Sequence, residues 1–219
     1  MSNEVVVVVA GGEAPAADAA AAVPAGALVI AADGGLEHAQ TLGLEVGLAV
    51  GDFDSAPDHA LAAAEERGTR IARHPADKDA TDLELALDAA LDSQPARVLV
   101  LAGVGERLDH LLSALHVLGA PRYAAVEVDA RVGAAIVHVI RDERTLRGEP
   151  GELVSLFALH GPAEGVTTAG LEYPLAAETL EPGSSRGVSN RFEAETARVS
   201  VERGILLAVR PGPETEKAT

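Results

Sequence analysis

Short apolar runs ending in glycine or aspartate alternate with Ala/Leu-rich stretches through the first half of the chain. Val5 to Ala10, Ala27 to Ala32, Leu48 to Val50, Thr69 to Arg73 and Val98 to Ala102 read as strands. Between them, the stretch from Asp33-Gly34-Gly35 through Leu42, then Pro57 to Arg67, Thr81 to Leu91 and Leu108 to Leu118, read as helices. Leu83, Ala86, Leu87, Ala90 and Leu91 fall at helical spacing, and the alanine-rich stretch after Gly11-Gly12 is also compatible with a helix. Strands apolar on both faces, alternating with helices, predict a parallel sheet covered on both sides, a doubly wound, Rossmann-like α/β domain.

The pattern changes after about residue 121. Ala124 to Val128 and Ala134 to Ile140 read as strands with no helix between them. Leu153 to Leu159, Val166 to Leu175, Arg198 to Glu202 and Ile205 to Val209 follow, divided by turns such as Glu181-Pro182-Gly183-Ser184-Ser185. That is the pattern of a small all-β unit. The expected organisation is an α/β domain over residues 1–140, joined near 141–150 to a β domain over 141–212, with a flexible tail at 213–219.

Composition narrows the chemistry. The 219 residues are 47% hydrophobic but only 2% aromatic, so platforms for stacking bases or rings are scarce. A net charge of −17 repels phosphate backbones and argues against a nucleic-acid partner. An anionic substrate would need a metal or a few well-placed cations. With no cysteine, disulfides, thiol catalysis and Cys-ligated zinc are excluded. The start MSNEVVVVVAGGE lacks a basic leader and a spanning run, which predicts a soluble, cytoplasmic protein with no membrane partner. The seven histidines show no HxxxH or HxH pairing, and neither GxxxxGK[ST] nor GxSxG occurs.

In open parallel sheets, ligands bind beyond the carboxyl ends of the strands. The unusual polar clusters of the first half collect there. In Gly51-Asp52-Phe53-Asp54-Ser55, two carboxylates sit two residues apart in a turn; magnesium or plain solvent would compensate their repulsion. In His74 to Leu87, Thr81 and Glu84 form a capping box and Asp79 and Asp82 suit a helix N-terminus. Lys78 among those acids exceeds what a cap needs and suits a phosphate, while the acids suit magnesium. In Gly103 to Leu118, Gly103-x-Gly105 is an incomplete dinucleotide fingerprint, with Leu108 where the third glycine belongs. Arg107, Asp109 and His110 crowd the first helical turn, where Arg107 opposes the helix dipole. A bound phosphate would compensate it, and so would an acid such as Glu106 or Glu37.

In order along the chain, Ala32-Asp33-Gly34-Gly35, Gly51-Asp52-Phe53-Asp54-Ser55, Lys78-Asp79-x-Thr81-Asp82 and Arg107-Leu108-Asp109-His110 resemble the thiamine pyrophosphokinase family. Gly165 to Leu175 and Gly187-Val188-Ser189-Asn190 continue the resemblance. It implies an α/β ATP-binding domain followed by a β-sandwich, in a homodimer with sites between subunits. The implied reaction is Mg2+-dependent transfer of the pyrophosphoryl group of ATP to the hydroxyl of thiamine, giving thiamine diphosphate and AMP. By the same resemblance, Asp52, Asp54, Asp79 and Asp82 would hold the metal. Asp33, Gly34, Gly35, Ser55, Lys78, Thr81, Arg107 and His110 would bind ATP, and Asp54, Arg107 and Asp109 would act in catalysis. Ser189 and Asn190 would contact thiamine, with Phe192 or Tyr173 left for stacking. Arg191 stands where the family usually carries an acid, and Ala114 where it usually carries asparagine. Those departures leave room for a different small alcohol as acceptor in a related transferase or hydrolase. A nucleotide-binding protein without turnover is the reading outside enzyme chemistry.

Overall fold

Val6, Val7, Val8 and Val9 are completely buried, as a strand covered on both faces must be. The computed structural model describes residues 4–54, 58–105 and 107–212. Ser55, Glu106 and the expected tail 213–219 lie outside the described residues. The chain divides into two compact units, one taking in residues up to Val117 and Ala125–Gly133, the other Leu118–Ala124 and the residues from Ala134 on.

The first unit carries six strands: β1 (Val5–Val9), β2 (Leu28–Ala32), β3 (Leu48–Gly51), β4 (Arg70–Arg73), β5 (Arg97–Ala102) and β6 (Glu127–Val132). All neighbours are parallel, in the order β6-β5-β1-β2-β3-β4. The helices are α1 (Gly35–Thr41), α2 (Asp58–Glu66), α3 (Asp82–Leu91) and α4 (Leu108–Leu118). Leu36 of α1 and Leu61 and Ala64 of α2 pack with Ala31 and Ala49 of the sheet, while α3 packs across β1, β2 and β3. The alanine-rich stretch forms a 3-10 helix, Ala17–Ala22, rather than an α-helix. The strand order places β2 on one side of β1 and β5 on the other. The loops after β1 and β5 meet at the carboxyl edge, where the Gly103 N–H donates to the Glu13 carbonyl at 3.2 Å.

In the first unit, one strand differs from its sequence reading. Pro121–Tyr123 is a 3-10 turn with Tyr123 buried, and the strand starts only at Glu127. Its charged residues disguise it. Asp129, 1% exposed, pairs with Arg97 at 2.6 Å, and Arg131 pairs with Asp18 at 3.0 Å. Charges neutralised this way can occupy a sheet interior.

The second unit is antiparallel. Its strands are β7 (Ala135–Ile140), β8 (Glu143–Arg147), β9 (Leu153–Ala158), β10 (Ala163–Ala169), β11 (Glu178–Leu180), β12 (Asn190–Arg191), β13 (Thr196–Ser200) and β14 (Leu206–Arg210). They pair in the orders β12-β9-β14-β7 and β11-β10-β13-β8. Val154, Leu156 and Leu206 of the first set share one apolar core with Val166, Leu180 and Val199 of the second. Residues 143–147, within the stretch read as a joint, form a strand because Leu146 is buried and the segment runs in register with Thr196 to Ser200. Phe192, a candidate for stacking on a ligand, is a core residue only 2% exposed. It packs against the Arg210 guanidinium at 5.8 Å, and so close to Gly148 that a Cβ there would lie 2.9 Å from its ring. It is therefore not available to a substrate.

Candidate active site

The carboxyl edge of the parallel sheet gathers the acids. β2 ends at Asp33, whose φ of 46° turns the chain sharply into α1. The turn is tight because Gly35 lies against β1: a Cβ there would stand 2.1 Å from the Val9 carbonyl oxygen, so only glycine fits. At the end of β3, a Cβ on Gly51 would meet the backbone and Cβ of Asp33 at 3.1–3.2 Å. Asp33 N–H donates to the Val50 carbonyl at 2.8 Å. Glycine at 51 thus lets Asp33 and the Asp52 loop stand side by side.

Asp52 Oδ1 accepts the Asp54 N–H at 3.2 Å, closing the turn on itself. Phe53, at φ 53° and 4% exposed, buries its ring beneath that turn. Asp54 is exposed. At the head of α3, Thr81 is the N-cap and its Oγ1 accepts the Glu84 N–H at 3.3 Å, the expected half of a capping box. Lys78 spans the two loops. Its Nζ donates to Asp52 Oδ2 at 3.2 Å and stands 3.1 Å from Asp82 Oδ1. Asp79 is exposed beside it.

These groups shift one another's protonation. Burial pushes the Asp33 carboxyl up; a hydrogen bond from Gly34 opposes that, and the charges of Asp82, Asp52 and Asp54 add to the rise. Asp33 Oδ1 is buried without a hydrogen-bond partner. The Asp52 carboxyl is lowered, first by the Asp54 N–H and then by Lys78. For Lys78, burial works against the charge, but its contacts with Asp82 and Asp52 outweigh it and raise the ammonium's pKa. Among the described residues, no three His, Asp or Glu side chains converge closely enough to hold a metal as they stand.

A second charged group opens α4. Arg107 Nε and Nη2 donate to the two carboxylate oxygens of Asp109 at 3.0 and 2.7 Å. The guanidinium holds that carboxyl well below the usual range. Arg107's partner is thus Asp109 itself, not Glu37. His110 is exposed in the same turn. The glycines before it have a packing reason: a Cβ on Gly103 would lie 2.4 Å from the Glu13 carbonyl oxygen and 2.5 Å from that of Ala14. The incomplete dinucleotide fingerprint therefore records two loops in contact.

In the second unit, Ser189 takes φ 58° and its N–H donates to Ser155 Oγ at 3.0 Å. Asn190, 2% exposed, uses its side chain on backbone: Oδ1 accepts from Tyr173 N–H at 3.0 Å and Arg191 N–H at 2.9 Å, and Nδ2 donates to the Tyr173 carbonyl at 2.8 Å. It pins Tyr173, a residue 56% exposed, at the rim of a cavity of about 510 Å³. Ser184, Ser185, Arg186 and Val188 also line that cavity. The sequence marks residues 181–185 only as a turn; the arginine after the serine pair is the available signal. Arg191 turns to donate to the Gly151 carbonyl at 2.8 Å.

Family models match both units. The thiamin pyrophosphokinase catalytic domain matches residues 21–129, and the vitamin B1 binding domain of thiamin pyrophosphokinase matches residues 136–206. The chain belongs to the thiamin pyrophosphokinase family. A curated thiamine pyrophosphokinase of Bacillus subtilis is 27% identical over 172 residues, 74% of this chain and 77% of the relative. A crystal structure of a thiamin pyrophosphokinase family protein from Enterococcus faecalis superposes with a TM-score of 0.80 at 27% identity, covering 95% of this chain and 99% of that one. The B. subtilis thiamine pyrophosphokinase crystal structure has the same fold, with a TM-score of 0.83 at 24% identity over 95% of this chain and 99% of that one. No helix among the described residues is long and apolar enough to cross a membrane.

Proposed function

We propose that this chain is a thiamine pyrophosphokinase that transfers the pyrophosphoryl group of ATP to the hydroxyl of thiamine, yielding thiamine diphosphate and AMP. Membership of the family supports the reaction. The observation that carries the site is Lys78 spanning Asp52 and Asp82 beside Asp33, whose Oδ1 is buried.

In this reading the α/β half, expected over residues 1–140 and ending at Gly133 because β7 pairs with β14, is a doubly wound, Rossmann-like nucleotide domain. The antiparallel unit, expected over residues 141–212 and beginning instead with β7, forms the thiamine-binding β-sandwich. The donor set Asp52, Asp54, Asp79 and Asp82 offers hard oxygens, the chemistry magnesium selects, and Asp33 Oδ1 is a buried acceptor left without a partner. Magnesium, when bound, neutralises charge on the triphosphate. Asp33, Gly34, Gly35, Ser55, Thr81 and His110 line the nucleotide. The thiamine hydroxyl oxygen forms a bond to the β-phosphorus as the bond to the α–β bridging oxygen breaks, and AMP leaves. Lys78 and Arg107 balance the charge on the group in flight, and Asp109, held ionised, accepts the hydroxyl's hydrogen bond. Such transfer depends mainly on position and charge. Ser189 and Asn190 shape the thiamine pocket, Asn190 by fixing Tyr173. The protein acts in the cytoplasm as a homodimer with the active site at the subunit interface. Val104, Leu108 and Leu112, each more than half exposed, offer an apolar patch for that contact.

The test is incubation with Mg-ATP and thiamine, following AMP and thiamine diphosphate together. AMP formed only with another alcohol supports the second reading, a related transferase or hydrolase, which Arg191 favours. Tight ATP binding without turnover on any acceptor supports the non-catalytic one.

A further inference from the structure

Lys78 is in the wrong place for a residue whose only task is to meet phosphate. Its ammonium, 14% exposed, stands between carboxylates of two separate loops, on oxygens the proposed metal would need. The contacts measure 3.2 and 3.1 Å, where magnesium would demand about 2.0–2.1 Å. A divalent cation bonded to those oxygens would lie within van der Waals reach of a like charge. Sharing Asp52 Oδ2 and Asp82 Oδ1 would force two cations against each other, a like-charge repulsion that disfavours both staying.

We infer that Lys78 is an internal counter-ion that occupies the place between Asp52 and Asp82 in the free protein and yields it when a divalent cation binds. This rests on the proposed cation reading of the site. The side chain then has two successive partners: the carboxylates before loading, and the nucleotide phosphates afterwards. Its build suits the exchange. Lysine is a compact charge on a flexible stem, whereas arginine would fasten to a carboxylate through two parallel bonds. Lys78 stands just ahead of α3, outside any regular element, so its stem can turn without disturbing the helix. The exchange also keeps Asp52, Asp54, Asp82 and Asp33 from facing one another uncompensated when no metal is present.

Two measurements test this without relying on turnover. Mn2+ binding in the absence of nucleotide, followed by electron paramagnetic resonance, should be about tenfold tighter or more in Lys78→Met than in wild type, the scale on which neighbouring groups tune a metal site. Lys78→Gln should behave likewise, and circular dichroism checks that each variant folds. The wild type supplies its own readout, because the sequence has only two lysines, Lys78 and Lys217. With 15N-lysine labelling, the Lys78 ammonium signal should move on adding Mg2+ alone, while that of Lys217 stays. Cation binding that is equal or weaker in both variants, or a Lys78 signal unmoved at saturating Mg2+, overturns the inference and leaves the cation reading standing. If neither wild type nor variant binds Mn2+ with or without ATP, the cation reading fails and takes the inference with it.

Discussion

Two charged groups stand at the carboxyl edge of the same sheet, and they are built differently. Lys78, Asp52 and Asp82 are 14%, 20% and 27% exposed and join loops 26 residues apart. Arg107 and Asp109 are 67% and 65% exposed and join positions two residues apart. The first group closes a tertiary contact between two loops. The second only folds one helical turn back on itself, and exposed pairs of that kind add little to stability. The semi-enclosed group therefore sets the site's shape, and the exposed pair is free to engage a substrate.

The sharpest break of that comparison lies in Asp54, whose backbone closes the Asp52 turn while its carboxylate is left exposed. Asp54→Asn should keep the turn, since the backbone bond survives, yet lower kcat by about 10²–10³, the scale of losing a key electrostatic group. The magnesium dependence should shift to higher concentration, with an unchanged melting temperature. Activity that survives the substitution removes Asp54 from the metal set.

Arg107→Ala should cost less, about tenfold to a hundredfold in kcat, because Lys78 still balances part of the transferring charge. Its melting temperature should match wild type, in contrast to substitutions at Asp52 or Asp82. Arg107→Lys should recover only part of the loss, since an ammonium cannot donate in the two parallel bonds seen to Asp109. A large fall in stability would show that the exposed pair is structural after all.

Asp33 and Asp52 sharpen the comparison within the enclosed group, because their carboxyls shift in opposite directions. For Asp52, lowered in the folded state, the stabilisation is complete above the ordinary aspartate value and is lost as pH falls through its folded pKa. For Asp33, raised by burial, the sign reverses. Ionisation costs stability once pH rises past the folded pKa, and the cost vanishes below the ordinary value of about 3.9. Asp33→Asn should therefore raise the melting temperature at neutral pH by about 2–4 °C, and the advantage should disappear near pH 3. A gain that persists at low pH would mean a packing effect instead of a charge effect.

The sequence made the first half of the molecule readable for a reason that fails in the second. Val6 to Val9 and Ile30 are buried on both faces, so their apolar runs are unbroken. In β6, Asp129 and Arg131 carry partners from elsewhere in the chain, and nothing local betrays that a charge is neutralised. In β8 only Leu146 is buried among polar neighbours, and β12 is two residues long. Neither presents a period to count. The same limit applies at the site. Lys78 stands out among its acids, but its bond to Asp52 joins loops 26 residues apart, a contact that spacing does not reveal. Phe192 was misjudged because an aromatic near a ligand motif and an aromatic in a core look alike until burial is known.

Arg191 offers the smallest effect and the finest distinction, because it follows Ser189 and Asn190, the residues proposed to contact thiamine. Its guanidinium donates to the Gly151 carbonyl, and its charge is felt at the Tyr173 hydroxyl. Thiamine carries a positive thiazolium, so in the proposed reading a cation near Tyr173 weakens its approach. Arg191→Glu should lower KM for thiamine by about two- to fivefold, the share of one partly screened charge, and leave KM for ATP unchanged. Raising the salt to about 1 M, where the Debye length falls to ~3 Å, should erase the difference. An unchanged KM at low salt would mean that Arg191 acts only through Gly151, as a clasp on the backbone. A rise in KM would mean that the acceptor carries negative charge, which thiamine does not, and would favour a different alcohol.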